Sequence, residues 1–268
     1  MSDASLSPPA LKPGPRFSVE TVTWVQHWTQ SLFSFRTTRD PDFAFASGQF
    51  VMVGLVNAGK QIARAYSIAS ALGSDELEFY SIKVPDGPLT SRLQQITLGD
   101  QLLVGRKPTG TLVLDGLRPG KRLYMIGTGT GLAPWLSLVR DPEVYRRFDE
   151  VIVTHTVREV GDLNYRKLFE QDLHTDPSLG ERIRRQLRYY PSVTREPFKT
   201  QGRITDLISS GKLFDDLTLP VIHPAVDRLM LCGGPSLLAD MKADLIARGY
   251  EEGSVSVPGD FVLEKAFV

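Results

Sequence analysis

Arg64-Ala65-Tyr66-Ser67 brings an anion-binding fork, an aromatic ring and a small hydroxyl into four consecutive residues. On an extended strand, positions 64 and 66 share a face. A guanidinium there can grip a pyrophosphate through paired N–H donors, and the Tyr66 ring can lie against a flat heterocycle such as an isoalloxazine. Ser67 would then face the reactive edge of that ring. The same residues equally compose a salt bridge, a packed ring and a surface hydroxyl on a half-buried strand, so the rest of the chain must decide.

A second constellation is Gly127-Thr128-Gly129-Thr130-Gly131-Leu132-Ala133-Pro134, an apolar run turning through glycines into a helix start. Free N–H groups at such a start favour an anion, and glycines would let a pyrophosphate approach the main chain. No Lys-Ser/Thr follows, so it is not a Walker loop, and Leu132 stands where the standard dinucleotide fingerprint has its third glycine. The next apolar run ends in His155-Thr156-Val157-Arg158, with an arginine where a ribose-binding acid is usual, which favours a 2'-phosphate. Tyr190-Pro191-Ser192-Val193-Thr194-Arg195 and Gly202-Arg203-Ile204-Thr205 add two more arginines in loop-like settings. Three guanidinium groups around one phosphate would select NADP over NAD through charge-assisted hydrogen bonds of about 1.5–3 kcal/mol each. Taken singly, each is an ordinary solvated arginine.

Leu231-Cys232-Gly233-Gly234-Pro235 repeats the order of strand, glycines and helix, and places Cys232 where it could touch a nicotinamide ring or serve as a small core hydrophobe. Lys83-Val84-Pro85-Asp86-Gly87-Pro88-Leu89-Thr90-Ser91 turns a strand into a helix. Its amides could share a pyrophosphate with Arg64 or form a plain capped start.

To position these groups the chain has 268 residues, 41% of them hydrophobic, enough for two ordinary domains. Lys plus Arg and Asp plus Glu both number 31, so no general attraction to nucleic acid or to an anionic membrane is expected. A single cysteine excludes a disulfide framework and a four-cysteine metal or iron–sulfur site. Redox chemistry would therefore need an organic cofactor, and no metal is expected. Residues 1–16 carry four prolines and no apolar signal region, which predicts a loose lead-in. Apolar runs too short to span a bilayer predict a cytoplasmic protein, and a monomer is expected.

From residue 17 to 114 the expected strands are 18–25, 32–37, 50–55, 77–84, 101–104 and 111–114, with one helix at 89–95, the texture of a small antiparallel barrel. Beyond a turn-rich stretch near 117, strands at 123–126, 151–155 and 229–232 each lead into a helix, reaching 140, 173 and 248. That alternation predicts a parallel sheet with crossover helices. The expected division is a β-barrel unit at 17–117 and an α/β unit at 118–268.

In this order the segments resemble the ferredoxin–NADP reductase family, in its bacterial flavodoxin/ferredoxin branch. The motifs that carry the resemblance are Arg64-Ala65-Tyr66-Ser67, Phe79-Tyr80-Ser81-Ile82-Lys83-Val84-Pro85-Asp86-Gly87, Gly127-Thr128-Gly129-Thr130-Gly131, Cys232-Gly233-Gly234-Pro235 and Glu264-Lys265-Ala266-Phe267-Val268. The resemblance implies FAD in the first unit, held by Arg64, Ala65, Tyr66, Ser67, Tyr80, Pro88, Leu89 and Thr90, with Thr130 and Ala266 contributed by the second. It implies NADP(H) held by Arg158, Thr194, Arg195, Arg203, Gly233, Gly234, Pro235 and Asp240. Ser67, Cys232 and Glu264 would stand nearest the chemistry, a hydride exchange coupled to one-electron transfer with ferredoxin or flavodoxin. Ala266 occupies the place where plant-type relatives stack an aromatic ring, and the chain stops at Val268. Two alternatives remain open: the flavin-containing reductase of an oxygenase system, and a non-catalytic nucleotide-binding module.

Overall fold

A computed structural model describes residues 14–266. Most of the loose lead-in expected over 1–16, and Phe267 and Val268, lie outside the described residues. Within them the chain begins in a turn, with the Phe17 N–H donating to the Gly14 carbonyl at 3.1 Å.

The first unit contains β1 (Phe17–His27), β2 (Leu32–Thr38), β3 (Phe50–Asn57), β4 (Lys60–Ser67), β5 (Glu76–Ile82), the short helix α1 (Thr90–Leu93) and β6 (Gln101–Gly105). All strand pairs are antiparallel, in the order β4-β3-β6-β1-β2-β5. A two-residue loop, Ala58-Gly59, with φ of 47° and 78°, joins β3 to β4. Two successive positive φ values match the right-handed twist of the strands they connect and set Val53 opposite Arg64 and Val51 opposite Tyr66. The curled sheet buries Phe33, Phe35, Val51, Val53, Tyr66 and Phe79, and α1 inserts Leu93 among them. The sheet's two outer strands meet where the Tyr66 hydroxyl lies 3.3 Å from Ser81 Oγ.

The second unit contains β7 (Arg122–Thr128), α2 (Ala133–Leu138), α3 (Pro142–Arg147), β8 (Glu150–Val157), α4 (Arg166–Glu170), α5 (Gly180–Gln186), β9 (Leu187–Val193), α6 (Ile204–Ser209), α7 (Lys212–Leu217), β10 (Asp227–Gly233), α8 (Pro235–Ala247) and β11 (Phe261–Lys265). Its strands are all parallel, in the order β11-β10-β7-β8-β9. Successive residues face opposite sides of a strand. Leu123, Met125, Val151, Val153 and Met230 thus enter one core while Tyr124, Ile126, Ile152, Leu229 and Leu231 enter the other. Burial on both faces explains why these strands read as unbroken apolar runs. The chain winds outward from β7 through β8 to β9 and then returns to the other side as β10. The switch between β7 and β10 therefore brings Gly127 and Cys232 side by side at the carboxyl ends of the strands.

Several expected elements differ. Residues 111–114 form no strand: the Thr111 N–H donates to Glu264 Oε2 at 3.0 Å and its hydroxyl to the Leu263 carbonyl at 2.8 Å, so the second unit draws Thr111 out of any ladder with the first. The helix expected up to 173 is broken into α4 and flanking 3-10 turns, with Tyr165 in the left-handed region at φ 61°. Tyr190 to Val193, read as loop, belong to the edge strand β9, where Pro191 is compatible with ladder pairing on one side only. The helix at 89–95 contracts to α1, and β4 and β11 add strands that the periodicity alone left unlisted.

Candidate functional site

A cleft of about 300 Å³ opens between the two units. From the first unit it is lined by Arg64, Ala65, Tyr66, Ser67, Tyr80, Ser81, Ile82, Val84, Gly87, Pro88, Leu89 and Thr90, and from the second by Thr130, Ala133, Cys232 and Ala266. Every residue expected to hold FAD therefore lines one cavity. Ser81, Ile82, Val84, Gly87 and Ala133 join them. The alternation along β5 could have pointed to Ile82 as a neighbour of Tyr80, whereas nothing local marks Ala133 except its place after the glycine turn.

The wall is rigid because its aromatics are packed from behind. Tyr66 meets Phe35 and Phe79 edge-on, both at 6.3 Å between ring centroids, and burial raises its phenol pKa, so it stays protonated. Thr90 donates its hydroxyl to the Val84 carbonyl at 3.1 Å, pinning the loop that carries Gly87 and Pro88. Arg64 is the one charged residue lining the cleft. It is exposed, its guanidinium donates to the Ala63 carbonyl at 2.9 Å, and among the described residues no carboxylate is bound to it. An apolar cleft with one cation, four Ser/Thr hydroxyls (Ser67, Ser81, Thr90 and Thr130) and an aromatic wall suits a flat ring carrying an anionic tail. The residues present therefore fit a flavin dinucleotide.

The glycine turn differs from its expected use. A Cβ on Gly127 would stand 2.5 Å from Trp135 Nε1, and one on Gly131 would stand 2.3 Å from the Cys232 carbonyl oxygen. These two glycines permit close packing between protein segments. Gly129, with φ 55° and open space around it, is the one that leaves main chain accessible.

Cys232 is 1% exposed, and burial together with the neighbouring Glu264 pushes its thiol pKa upward, so it is a neutral wall of the cleft and no thiolate nucleophile. Glu264 lies beside it in register on β11 but outside the cleft lining. Burial pushes the Glu264 carboxyl up to about 7 against the opposing Thr111 hydrogen bond. Its Oε1 is buried without a partner. The Ala266 N–H donates to the Gly233 carbonyl at 3.0 Å, which holds this residue against the cleft.

Most of the residues expected to hold the second nucleotide lie near the carboxyl ends of the same sheet, outside the cleft lining. The Thr194 N–H donates to the Val157 carbonyl at 3.0 Å and the Arg195 N–H to the Arg158 carbonyl at 2.9 Å. The Gly202 N–H reaches the Val193 carbonyl at 3.0 Å and brings Arg203 alongside. Arg158, Arg195 and Arg203 are exposed, and among the described residues none is ion-paired. Gly234 and Pro235 open α8, whereas Asp240 sits further along it on the exposed face.

Comparison with known proteins bears on the family and the fold. The oxidoreductase FAD-binding domain family matches residues 17–114. A ferredoxin–NADP reductase A of Sorangium cellulosum is 58% identical over 253 residues, spanning 94% of this chain and 91% of that protein. A ferredoxin–NADP reductase of Azotobacter vinelandii is 52% identical across 94% of this chain and 98% of its own length. Among solved structures, a ferredoxin NADP+ reductase from Neisseria gonorrhoeae with bound FAD and NADP superposes with a TM-score of 0.85 at 30% identity, covering 95% of this chain and all of that one. With a cleft shared by a curled antiparallel sheet and a parallel α/β unit, and with identity of this extent along nearly the whole sequence, the chain belongs to the ferredoxin–NADP reductase family.

Proposed function

We propose that this protein exchanges electrons between NADP(H) and a one-electron carrier protein, ferredoxin or flavodoxin, by way of bound FAD, as a cytoplasmic monomer. Residues 17–117 form the FAD-binding unit in this reading and residues 118–268 the NADP-binding unit. The observation that supports it best is the cleft between the units, whose lining carries one charge, the unpaired Arg64.

FAD supplies the chemistry when bound, accepting or giving a hydride with the nicotinamide and passing electrons singly to the carrier. The chain's residues orient and shield. Arg64 holds the pyrophosphate, with the α1 start beside it. Tyr66 lies along one ring face with its hydroxyl tethered to Ser81, and Ser67 stands at the reactive edge as a hydrogen-bonding group. Thr130, Cys232 and Ala266 form the opposite side, where small side chains leave room for a second ring to approach. Glu264, poised near neutrality, accepts or returns a proton at Oε1 or orients the nicotinamide amide. Arg158, Thr194, Arg195 and Arg203 surround the 2'-phosphate, and Gly233, Gly234, Pro235 and Asp240 shape the path between.

The test is NADPH-dependent reduction of purified ferredoxins and flavodoxins by FAD-loaded protein, followed spectroscopically. Turnover with at least one carrier is expected. Failure to take up FAD, or reduction of free flavin without any carrier, overturns the reading.

A further inference from the structure

The two units meet through hydrogen bonds of unequal consequence. Arg140 donates to the Ala69 carbonyl at 2.5 Å, Thr29 to Asp162 Oδ1 at 3.3 Å and Thr111 to Glu264 at 3.0 Å, and none of these residues lines the cleft. The exception lies just before α4. Asn164, 8% exposed, donates its Nδ2 to the hydroxyl of Tyr80 at 2.9 Å. Among the described residues this is the one side-chain hydrogen bond between the units that ends on a side chain of the cleft wall.

The next residue anchors the donor. Tyr165 sits at φ 61°, a left-handed conformation that is unfavourable for a bulky residue. Its ring nonetheless enters the first unit, 5.3 Å from Trp28 and 5.4 Å from Tyr80, edge-on to the latter. Its hydroxyl donates to Glu78 Oε1 at 2.8 Å and lies 2.6 Å from Ser34 Oγ, which accepts the Trp28 indole N–H at 2.8 Å. Arg36 Nε holds the other Glu78 oxygen at 3.2 Å. A backbone conformation this unfavourable persists only where its surroundings over-determine it.

We propose that Asn164 and Tyr165 are positioning residues: Tyr165 docks the second unit on β2 and β5, and Asn164 thereby sets the Tyr80 wall at a fixed separation from Thr130, Ala133 and Cys232 across the cleft. The inference rests on that cleft holding the flavin. Apolar packing between the units tolerates small sliding, whereas a directional hydrogen bond to the wall does not, and ring-to-ring chemistry is sensitive to displacements well below 1 Å. With Asn164 donating, the Tyr80 phenol keeps its own proton for a second partner, and burial keeps that proton on the oxygen.

The experiment is a double-mutant cycle on FAD-loaded protein with Asn164→Ala, Tyr80→Phe and the combination, measuring the FAD dissociation constant, the visible flavin spectrum, and kcat and KM for NADPH. Asn164→Ala is expected to weaken FAD about three- to tenfold, the range for one lost hydrogen bond. It should also shift the flavin band and lower kcat, with the NADPH KM little changed. Added to Tyr80→Phe, it should have almost no further effect on FAD affinity. Tyr165→Phe, which keeps the ring, should reproduce the spectral shift. If the wild type takes up FAD and Asn164→Ala matches it, or if the two losses simply add, the positioning role is wrong. A wild-type protein that takes up no FAD overturns the reading of the cleft itself.

Discussion

The cleft wall and the arginine edge are built in opposite ways. At the wall, Tyr66 and Tyr80 are buried, their hydroxyls are engaged by Ser81 and Asn164, and Phe35 and Phe79 back the Tyr66 ring. At the edge, Arg158, Arg195 and Arg203 extend from a hydrogen-bonded backbone into solvent, and among the described residues no carboxylate holds them. Shape complementarity in the first case is part of the folded core, so binding and stability rest on the same contacts. In the second, only the attachment points are built, and the long, charged side chains keep their rotamer freedom.

The sharpest way to break this contrast is Tyr66→Ala. Removing a buried aromatic should cost about 3–5 kcal/mol of stability, read as a lower urea midpoint of the apoprotein, together with loss of bound flavin. An unchanged midpoint would place Tyr66 outside the core. At the edge, replacing Arg195 and Arg203 together should forfeit about 3 kcal/mol or more. The NADPH KM should then rise on the order of a hundredfold, with the NADH KM and the unfolding midpoint almost unmoved. Equal losses with both nucleotides would sink the assignment to the 2'-phosphate.

Arg64→Ala tests whether the cleft contains one element of the edge type. Its guanidinium is exposed and, among the described residues, meets no carboxylate, so FAD should bind about ten- to a hundredfold more weakly, while the apoprotein melts at the same temperature. A lower melting temperature would return Arg64 to the structural wall. The last expected effect is confined to a pH window and comes from Glu264→Gln. The native carboxyl holds its proton up to about pH 7, above the ordinary glutamate value of 4.5, so between these values the native state binds more protons than the unfolded state. Wild-type stability should therefore fall as pH rises through that window, and the variant should lack the fall. The gap in Tm should widen throughout that window and level off above pH 7. Parallel curves for the two proteins would show that Glu264 ionises freely.

Local patterns made much of this legible. Arg64, Tyr66 and Ser67 reveal their arrangement because a strand alternates every two residues, and the unbroken apolar runs at 123–126 and 229–232 announce a sheet covered on both faces. Short range is also where such patterns stop. Pro191 disguises β9 because a residue without an N–H looks like a break until an edge position accommodates it. Thr111 reads as strand because its partner, Glu264, lies 153 residues away in sequence. Gly127 and Gly131 look like ligand glycines until Trp135 and the Cys232 carbonyl are found against them.

Short-range chemistry, carried in the order of the residues, determined that a planar ring and an anion would be bound, that an α/β unit would follow a barrel, and that a lone cysteine could not build a metal site. Packing between distant segments decided which glycines serve the backbone and which the protein's own side chains, how far Glu264 is removed from water, and that Asn164 of one unit grips Tyr80 of the other. The first set depends on spacing along a single strand or turn. The second depends on which surfaces are pressed together once both sheets have formed, and burial and hydrogen-bond partners exist only at that stage.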